Sequence, residues 1–329
     1  MSHPERLSPA GGGPASTASK PPRINGNGDA QSGPPGPSLA EFAIQRGLSQ
    51  SAARPPLRQY IRQLWQRRHF VWTFASSKSI SLYTTARLGQ LWQVLTPLLN
   101  AAVYYLIFGV LLKTSRGIPD FIPFLVTGVF VFTFTQRSVN TGAKSVGDNL
   151  SLIRALHFPR ASLPFAYVIL ELQQLMMSLV VLFVIVLVMG EPLTAHWLLL
   201  IPVILMQLAF NIGISLVVAR LGAFARDITQ LLPFVLRTWF YFSGVIFSVA
   251  HLQSTFKDHP WVVKLLEINP GYVYVELSRH ALLAKYRGFV EDLHHPTGHL
   301  WWYAIIWAVV IFVGGFLFFY RAEERYGRG

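Results

Sequence analysis

Leu163 to Met189 reads LPFAYVILELQQLMMSLVVLFVIVLVM, an apolar run interrupted by one ionisable residue, Glu171. A helix needs about 20 residues to cross a hydrocarbon core, so this stretch alone reads as a transmembrane helix. Comparable runs lie near 93–112, 121–141, 196–219, 230–250 and 301–320. In the run at 121–141, Gln136, Arg137 and Asn140 dilute the last turns. The expected fold is all-α, a polytopic membrane protein with about six transmembrane helices and both termini on one side.

Composition agrees. Of 329 residues, 52% are hydrophobic and 13% charged, against about a quarter charged in soluble domains. The net charge of +13 could suit nucleic acid, but its cations gather before the first span, in two later loops and at the C-terminus. That distribution marks cytoplasmic segments instead, and no nucleic-acid partner is expected. With Cys 0, there are no disulfides, thiolate metal sites or cysteine nucleophiles.

Residues 1–55 are rich in Gly, Pro and Ser and read as a disordered cytoplasmic tail. No apolar core follows a basic start there, so no signal peptide is expected. From 56 to 86, Leu57, Tyr60, Ile61, Leu64 and Trp65 recur at helical spacing, with Arg58, Arg62, Arg67 and Arg68 between them. This pattern describes an amphipathic helix lying in the headgroup plane with its arginines on anionic lipid, or an arm docked on a partner.

Lys and Arg in the short loops orient the spans. The loop bearing Arg137, Lys144, Arg154 and Arg160, the loop bearing Arg220 and Arg226, and the tail bearing Arg321, Arg325 and Arg328 are expected in the cytoplasm, making this a multi-pass protein of the cytoplasmic membrane. The segment at 251–299 is expected outside. In it, Trp261, Val262, Leu265 and Leu266 share one helical face, and Asn269-Pro270-Gly271 is a strong turn. Two short helices there either dip back into the outer leaflet or form a plain hairpin.

Catalytic signals are weak. Thr141-Gly142-Ala143-Lys144-Ser145 has the tail of a phosphate loop without its leading glycine or strand. His294, His295 and His299 could face a metal but stand in a polar loop, and no metal site is assigned. Glu171 serves either as a gate or as a structural partner of Gln173, Gln174 or a nearby arginine. No cofactor is expected on this chain.

Four segments then fall in order. They are Arg87-Leu88-Gly89-Gln90-Leu91-Trp92 with Pro97; Leu152-Ile153-Arg154-Ala155-Leu156-His157-Phe158-Pro159-Arg160 with Leu163-Pro164; Ala225-Arg226-Asp227-Ile228; and Ser243-Gly244-Val245-Ile246-Phe247-Ser248 with Ile268-Asn269-Pro270. Together they resemble permease subunits of type-2 ABC exporters that move polysaccharides, from about residue 57 to the end, with the transmembrane domain at 87–329. The chain departs from that pattern at Ser81-Leu82-Tyr83-Thr84-Thr85-Ala86, where relatives are more basic, and at Ser243-Gly244, where many have proline.

The resemblance implies a homodimer and a separate ATPase in two copies that holds ATP and Mg. It also implies a polyprenyl-linked polysaccharide as cargo, such as galactan, O-antigen or a teichoic-acid-like polymer. A coupling helix at about 148–157 would meet the ATPase through Asp148, Leu152, Ile153, Arg154, Leu156, Phe158 and Arg160, with Arg226 and Asp227 from the next loop; the alternative is that its apolar face packs on the chain's own interfacial helix. Asp148 or Asn149 would cap that helix and Pro159 would end it. Tyr104, Tyr105, Phe108, Trp239, Phe240, Tyr241 and Phe242 would line a glycan channel. Trp261, Leu265, Leu266, Asn269 and Pro270 would form an outer gate. The rival readings are an ATP-independent secondary transporter or channel, which wants facing intramembrane charges, and a membrane-embedded polyprenyl-sugar enzyme, which wants paired acids.

Overall fold

A computed structural model describes residues 55–84, 88–89, 91–111, 118–155, 158–250, 252, 259–294 and 296–323. The expected tail lies outside the described residues except for Pro55, as do Leu156, His157 and His295. The helices are α1 (Leu57–Gln66), α2 (Arg68–Thr84), α3 (Leu91–Tyr104), α4 (Phe121–Lys144), α5 (Leu150–Ala155) and α6 (Ser162–Val188). They continue as α7 (Leu200–Phe224), α8 (Arg226–Phe242), α9 (Pro260–Ile268), α10 (Pro270–Leu282), α11 (Ala284–Asp292) and α12 (Gly298–Tyr320).

Among the described residues, five helical segments are long and apolar enough to cross a membrane: Val94–Leu111, Phe121–Lys144, Ser162–Val188, Ala195–Phe224 and Gly298–Tyr320. The all-helical, polytopic expectation holds. The segment expected as one span at 230–250 differs: α8 stops at Phe242, and the chain turns through Ser243 and Gly244, whose φ is +62°. The chain can bend inside an apolar stretch because polar side chains from α10 take up its freed carbonyls, as described below.

α4 is the central helix, packed against α6, α7, α8 and α10. Hydroxyl and amide groups tie it to α7: Gln207 Nε2 donates to the Val131 carbonyl at 2.8 Å and to Thr135 Oγ1 at 3.0 Å, and Ser215 Oγ donates to the Ser138 carbonyl at 2.8 Å. Such bonds suit a lipid setting, where helix association gains little from apolar burial. α7 also crosses α12 at close range, with Gly213 against Ile311 and Gly315 against Gly213.

The single amphipathic helix expected at 56–86 is two helices. α1 keeps the apolar face, whereas α2 runs along the first half of α6 and carries hydroxyls to meet its amides. Gln173 Nε2 donates to Ser76 Oγ at 2.9 Å and Gln174 Nε2 to Ser79 Oγ at 3.2 Å. The apolar periodicity ends near Trp65, and small and hydroxyl residues replace it. α3 ends in a wider π-helical turn, Tyr105–Leu111, where the Tyr105 ring folds over Gly109 and leaves no room for a β-carbon.

Candidate functional site

The ends of the bundle are fixed by long-range hydrogen bonds. At one end, Tyr60 on α1 donates to Glu323 Oε2 at 2.8 Å, while the Arg160 amide donates to Glu323 Oε1 at 2.9 Å. The Arg160 guanidinium donates to the Glu323 main-chain carbonyl, and Tyr320 donates to the Pro55 carbonyl at 2.7 Å. Burial pushes the Glu323 carboxyl upward, opposed by these donors and by the Arg160 charge. Lys144, Arg154, Arg220 and Arg321 are at the same end. At the other, buried Glu191 accepts from the amides of Ala284 and Lys285 at 2.9 and 3.3 Å, and Lys285 Nζ stands 2.5 Å from Asp120 Oδ2.

The expected coupling helix begins later: a 3-10 turn, Gly147–Asn149, leads into α5, and its last expected residues, Leu156 and His157, lie outside the described residues. The Asn149 amide donates to the Ser145 carbonyl at 2.8 Å and to Tyr167 at 3.1 Å. Ile153 is buried in the chain's own core with Leu152 packed beside it, and Phe158 packs on Phe70 with ring centroids 5.4 Å apart. Arg160 is held by Glu323. Of the two expected settings, a partner or the chain's own interfacial helix, Phe158 takes the second, against α2, and the C-terminal turn takes up Arg160. Asp148, Leu150, Arg154 and Asp227 remain exposed. Arg226 begins α8 with its side chain outside the described residues, as is all of Leu156.

The two basic loops nevertheless come together: a β-carbon on Gly222 would lie 2.3 Å from the Ala143 carbonyl oxygen and 3.1 Å from Thr229 Cγ2. The stretch Thr141 to Ser145 is the last turn and C-cap of α4, a helix end rather than a phosphate loop.

The seven aromatic candidates divide into two groups. Tyr104 stacks on Phe108 and Phe240 at 6.3 and 5.8 Å, and Phe132 meets Trp239 and Phe240 edge-on, each at 5.5 Å. These rings pack within the protomer. Tyr105, Tyr241 and Phe242 are exposed at 42%, 52% and 60%, so they point away from it. Neighbouring positions on a helix face about 100° apart, so four successive aromatics such as Trp239-Phe240-Tyr241-Phe242 cannot all face one side. A cavity of about 30 Å³, room for one or two waters, lies between α3, α4 and α6. Among its lining residues are Asn100, Arg137, Glu171 and Ser178.

The bend after α8 is the most heavily bonded polar feature. Asn269 Oδ1 accepts from the Gly271 amide at 3.0 Å and Trp239 Nε1 at 2.7 Å, and its amide donates to the Phe242 carbonyl at 2.9 Å. The wholly buried Arg279 guanidinium donates to the carbonyls of Phe124, Gly244 and Val245 at 3.1, 2.8 and 2.6 Å. It lies 3.4 Å from the centroid of the Phe124 ring and 3.5 Å from Glu276 Oε2, while Tyr286 donates to Glu276 Oε1 at 2.8 Å. Sequence reasoning missed Arg279 and Glu276. Their spacing is that of an ordinary exposed helical ion pair, and the only hint was the apolar and aromatic run Tyr272-Val273-Tyr274-Val275 just before Glu276.

In the expected gate, Trp261 and Leu265 are exposed and Leu266 half-buried, whereas Pro270 begins α10. The Ile268 carbonyl accepts from Trp307 Nε1 at 2.7 Å. Of the three histidines, His299 Nε2 lies 3.3 Å from Glu267 Oε2 and His294 is exposed.

Residues 70–283 match the ABC-2 type transporter family, and the chain belongs to it. It is 26% identical over 265 residues to the O-antigen export system permease protein RfbA of Myxococcus xanthus, covering 80% of this chain and 96% of that one. A protein of the same name from Klebsiella pneumoniae is 28% identical over 182 residues, 55% of this chain and 68% of its own. The polysialic acid transport protein KpsM of Escherichia coli is 25% identical over 240 residues, 73% and 87% respectively.

Proposed function

We propose that this chain is the permease subunit of an ABC exporter that moves a lipid-linked polysaccharide out across the cytoplasmic membrane. A separate ATPase in two copies powers it, and two copies of this chain form the path. The family and the names of its relatives support the class. A galactan, an O-antigen or a teichoic-acid-like polymer would be the cargo. The cations at the end bearing α1 and Glu323 support placing that end, with both termini, in the cytoplasm.

The observation that carries the dimeric path is the exposed side of α3 and α8. Val103, Tyr105 and Leu106 on one helix and Phe234, Tyr241 and Phe242 on the other leave an aromatic-rich face uncovered by the protomer's own bundle. Rings along it can stack on sugars without fixing a register. Because the native chain has Cys 0, single cysteines report cleanly. Tyr241→Cys or Phe242→Cys should give an oxidant-dependent dimer in membranes, and Val309→Cys on the exposed side of α12 should not. Equal cross-linking at all three positions, or none at the α8 pair, removes the basis for the shared path.

Energy coupling would pass through α5. Its exposed side now directs the test to Leu150 and Arg154. Leu150→Asp together with Arg154→Glu should leave the permease in the membrane while co-purification with its ATPase falls roughly tenfold, the loss expected of one interface anchor. Unchanged co-purification and export would exclude α5 as the coupling element.

A further inference from the structure

The largest cavity described lies away from the aromatic face. It is a groove of about 610 Å³ lined by Leu57, Ile61, Trp65 and Trp72 from α1 and α2, Phe165 and Ile169 from α6, and the Phe312 to Leu317 stretch of α12. A cavity of about 150 Å³ accepts a benzene ring, so this one has length for a substantial piece of hydrocarbon chain. No residue of α3 or α8 takes part in it.

Its depth is informative. Tyr320 ends α12 at the basic end, and Phe312 lies eight residues before it, roughly 12 Å at 1.5 Å per residue. The groove thus begins at the level of headgroups and runs inward to the level of acyl chains. Its rim is cationic. Arg68 lines it, held near the Trp65 ring at 5.6 Å, with Arg62 and Arg67 exposed on the same segment. From Leu57 to Thr84 there is no Asp or Glu, so nothing within α1 and α2 offsets that charge. A long apolar slot ending beneath these guanidinium groups matches one chemistry, an anionic headgroup joined to a hydrocarbon tail.

We infer that the groove between α1–α2 and helices α6 and α12 is a binding site for an anionic glycerophospholipid of the surrounding bilayer. One acyl chain lies against Trp72, Ile169 and Val313, and the phosphate is held by Arg68. The bound lipid fills the space between α1 and the spans and fixes the segment that also carries Tyr60 to Glu323.

The test uses the full-length chain purified in detergent and observed by native mass spectrometry. Phosphatidylglycerol and phosphatidylcholine with identical acyl chains are the probes. Wild type should retain phosphatidylglycerol about five-fold over phosphatidylcholine, the value of one arginine near an anionic group. Arg68→Ala should abolish that preference and Arg68→Lys should keep most of it. Val313→Trp, which fills the groove, should remove adducts of both lipids, with Ile169→Phe on the facing wall as the substitute should the first variant not fold. Equal retention of the two lipids by wild type would overturn the assignment, as would adducts unchanged in both the Arg68→Ala and groove-filling variants. Displacement of phosphatidylglycerol by an equimolar polyprenyl phosphate would also overturn it, because the groove would then belong to the lipid carrier of the cargo.

Discussion

Arg279→Leu should destabilise the protein by about 3–5 kcal/mol, the range for removing one member of a buried ion pair. The guanidinium satisfies three main-chain carbonyls on two other segments, Phe124 on α4 and Gly244 and Val245 in the bend. Leucine would leave the Gly244 and Val245 carbonyls without this donor, reduce the Phe124 carbonyl to its place in the helix ladder, and strand the Glu276 carboxylate, which would keep its bond from Tyr286. The apparent melting temperature of the detergent-purified protein should fall by roughly 10 °C at the usual conversion of 2–4 °C per kcal/mol. Arg279→Lys should recover little, because an ammonium cannot span the forked arrangement. Adding Glu276→Leu to Arg279→Leu should recover part of the loss, since no unpaired charge then remains, though the carbonyls do. Gly128 gives a second check. A β-carbon there would lie 2.5 Å from Arg279 Nη2, so Gly128→Ala should destabilise wild type and be tolerated beside Arg279→Leu. Melting of Arg279→Leu within a degree or two of wild type would show that water or other donors satisfy the bend.

How much of this was legible follows from the range of each interaction. Hydropathy is a sum over neighbours in sequence, so five of the six expected spans appear within a few residues of where they were read. The same sum runs straight through Ser243 and Gly244. What bends the chain there is a side chain about 35 residues later, and no local window contains it. Arg160 and Glu323 are a similar case: a basic loop was legible, but not that its arginine answers a carboxylate 163 residues away. Around α5 the apolar residues were legible but not what covers them, because Leu152, Ile153 and Phe158 could equally cover a partner or the chain's own core. For the aromatic set, helical geometry spreads Trp239 to Phe242 around the helix, but which of them face the bundle depends on Tyr104 and Phe132, more than 100 residues earlier.

Gly213→Ala should be the most damaging single methyl group added to the spans. In a bilayer two helices gain little from apolar contact alone and depend on close backbone approach, which glycine permits. α7 and α12 cross at such a point. A β-carbon on Gly213 would stand 2.3 Å from the Ile311 carbonyl oxygen and 2.6 Å from Phe312 Cα, and one on Gly315 would stand 2.1 Å from the Gly213 carbonyl oxygen. These neighbours are backbone and cannot rotate aside, so the helices must separate along the seam where Phe210 meets Trp307 at 6.4 Å. Overpacking of this kind costs about 1–3 kcal/mol or more, which corresponds to a fall of roughly 4–10 °C in melting temperature. Gly314 supplies the control, because a β-carbon there would meet nothing within 4 Å. Gly314→Ala should be neutral or stabilising, since alanine is favoured over glycine in a helix interior by about 1 kcal/mol. The two substitutions are chemically identical and the second site lies on the helix that the first would displace, so any difference between them measures the crossing itself. If Gly213→Ala and Gly314→Ala melt alike, close approach at this seam does not hold the bundle together.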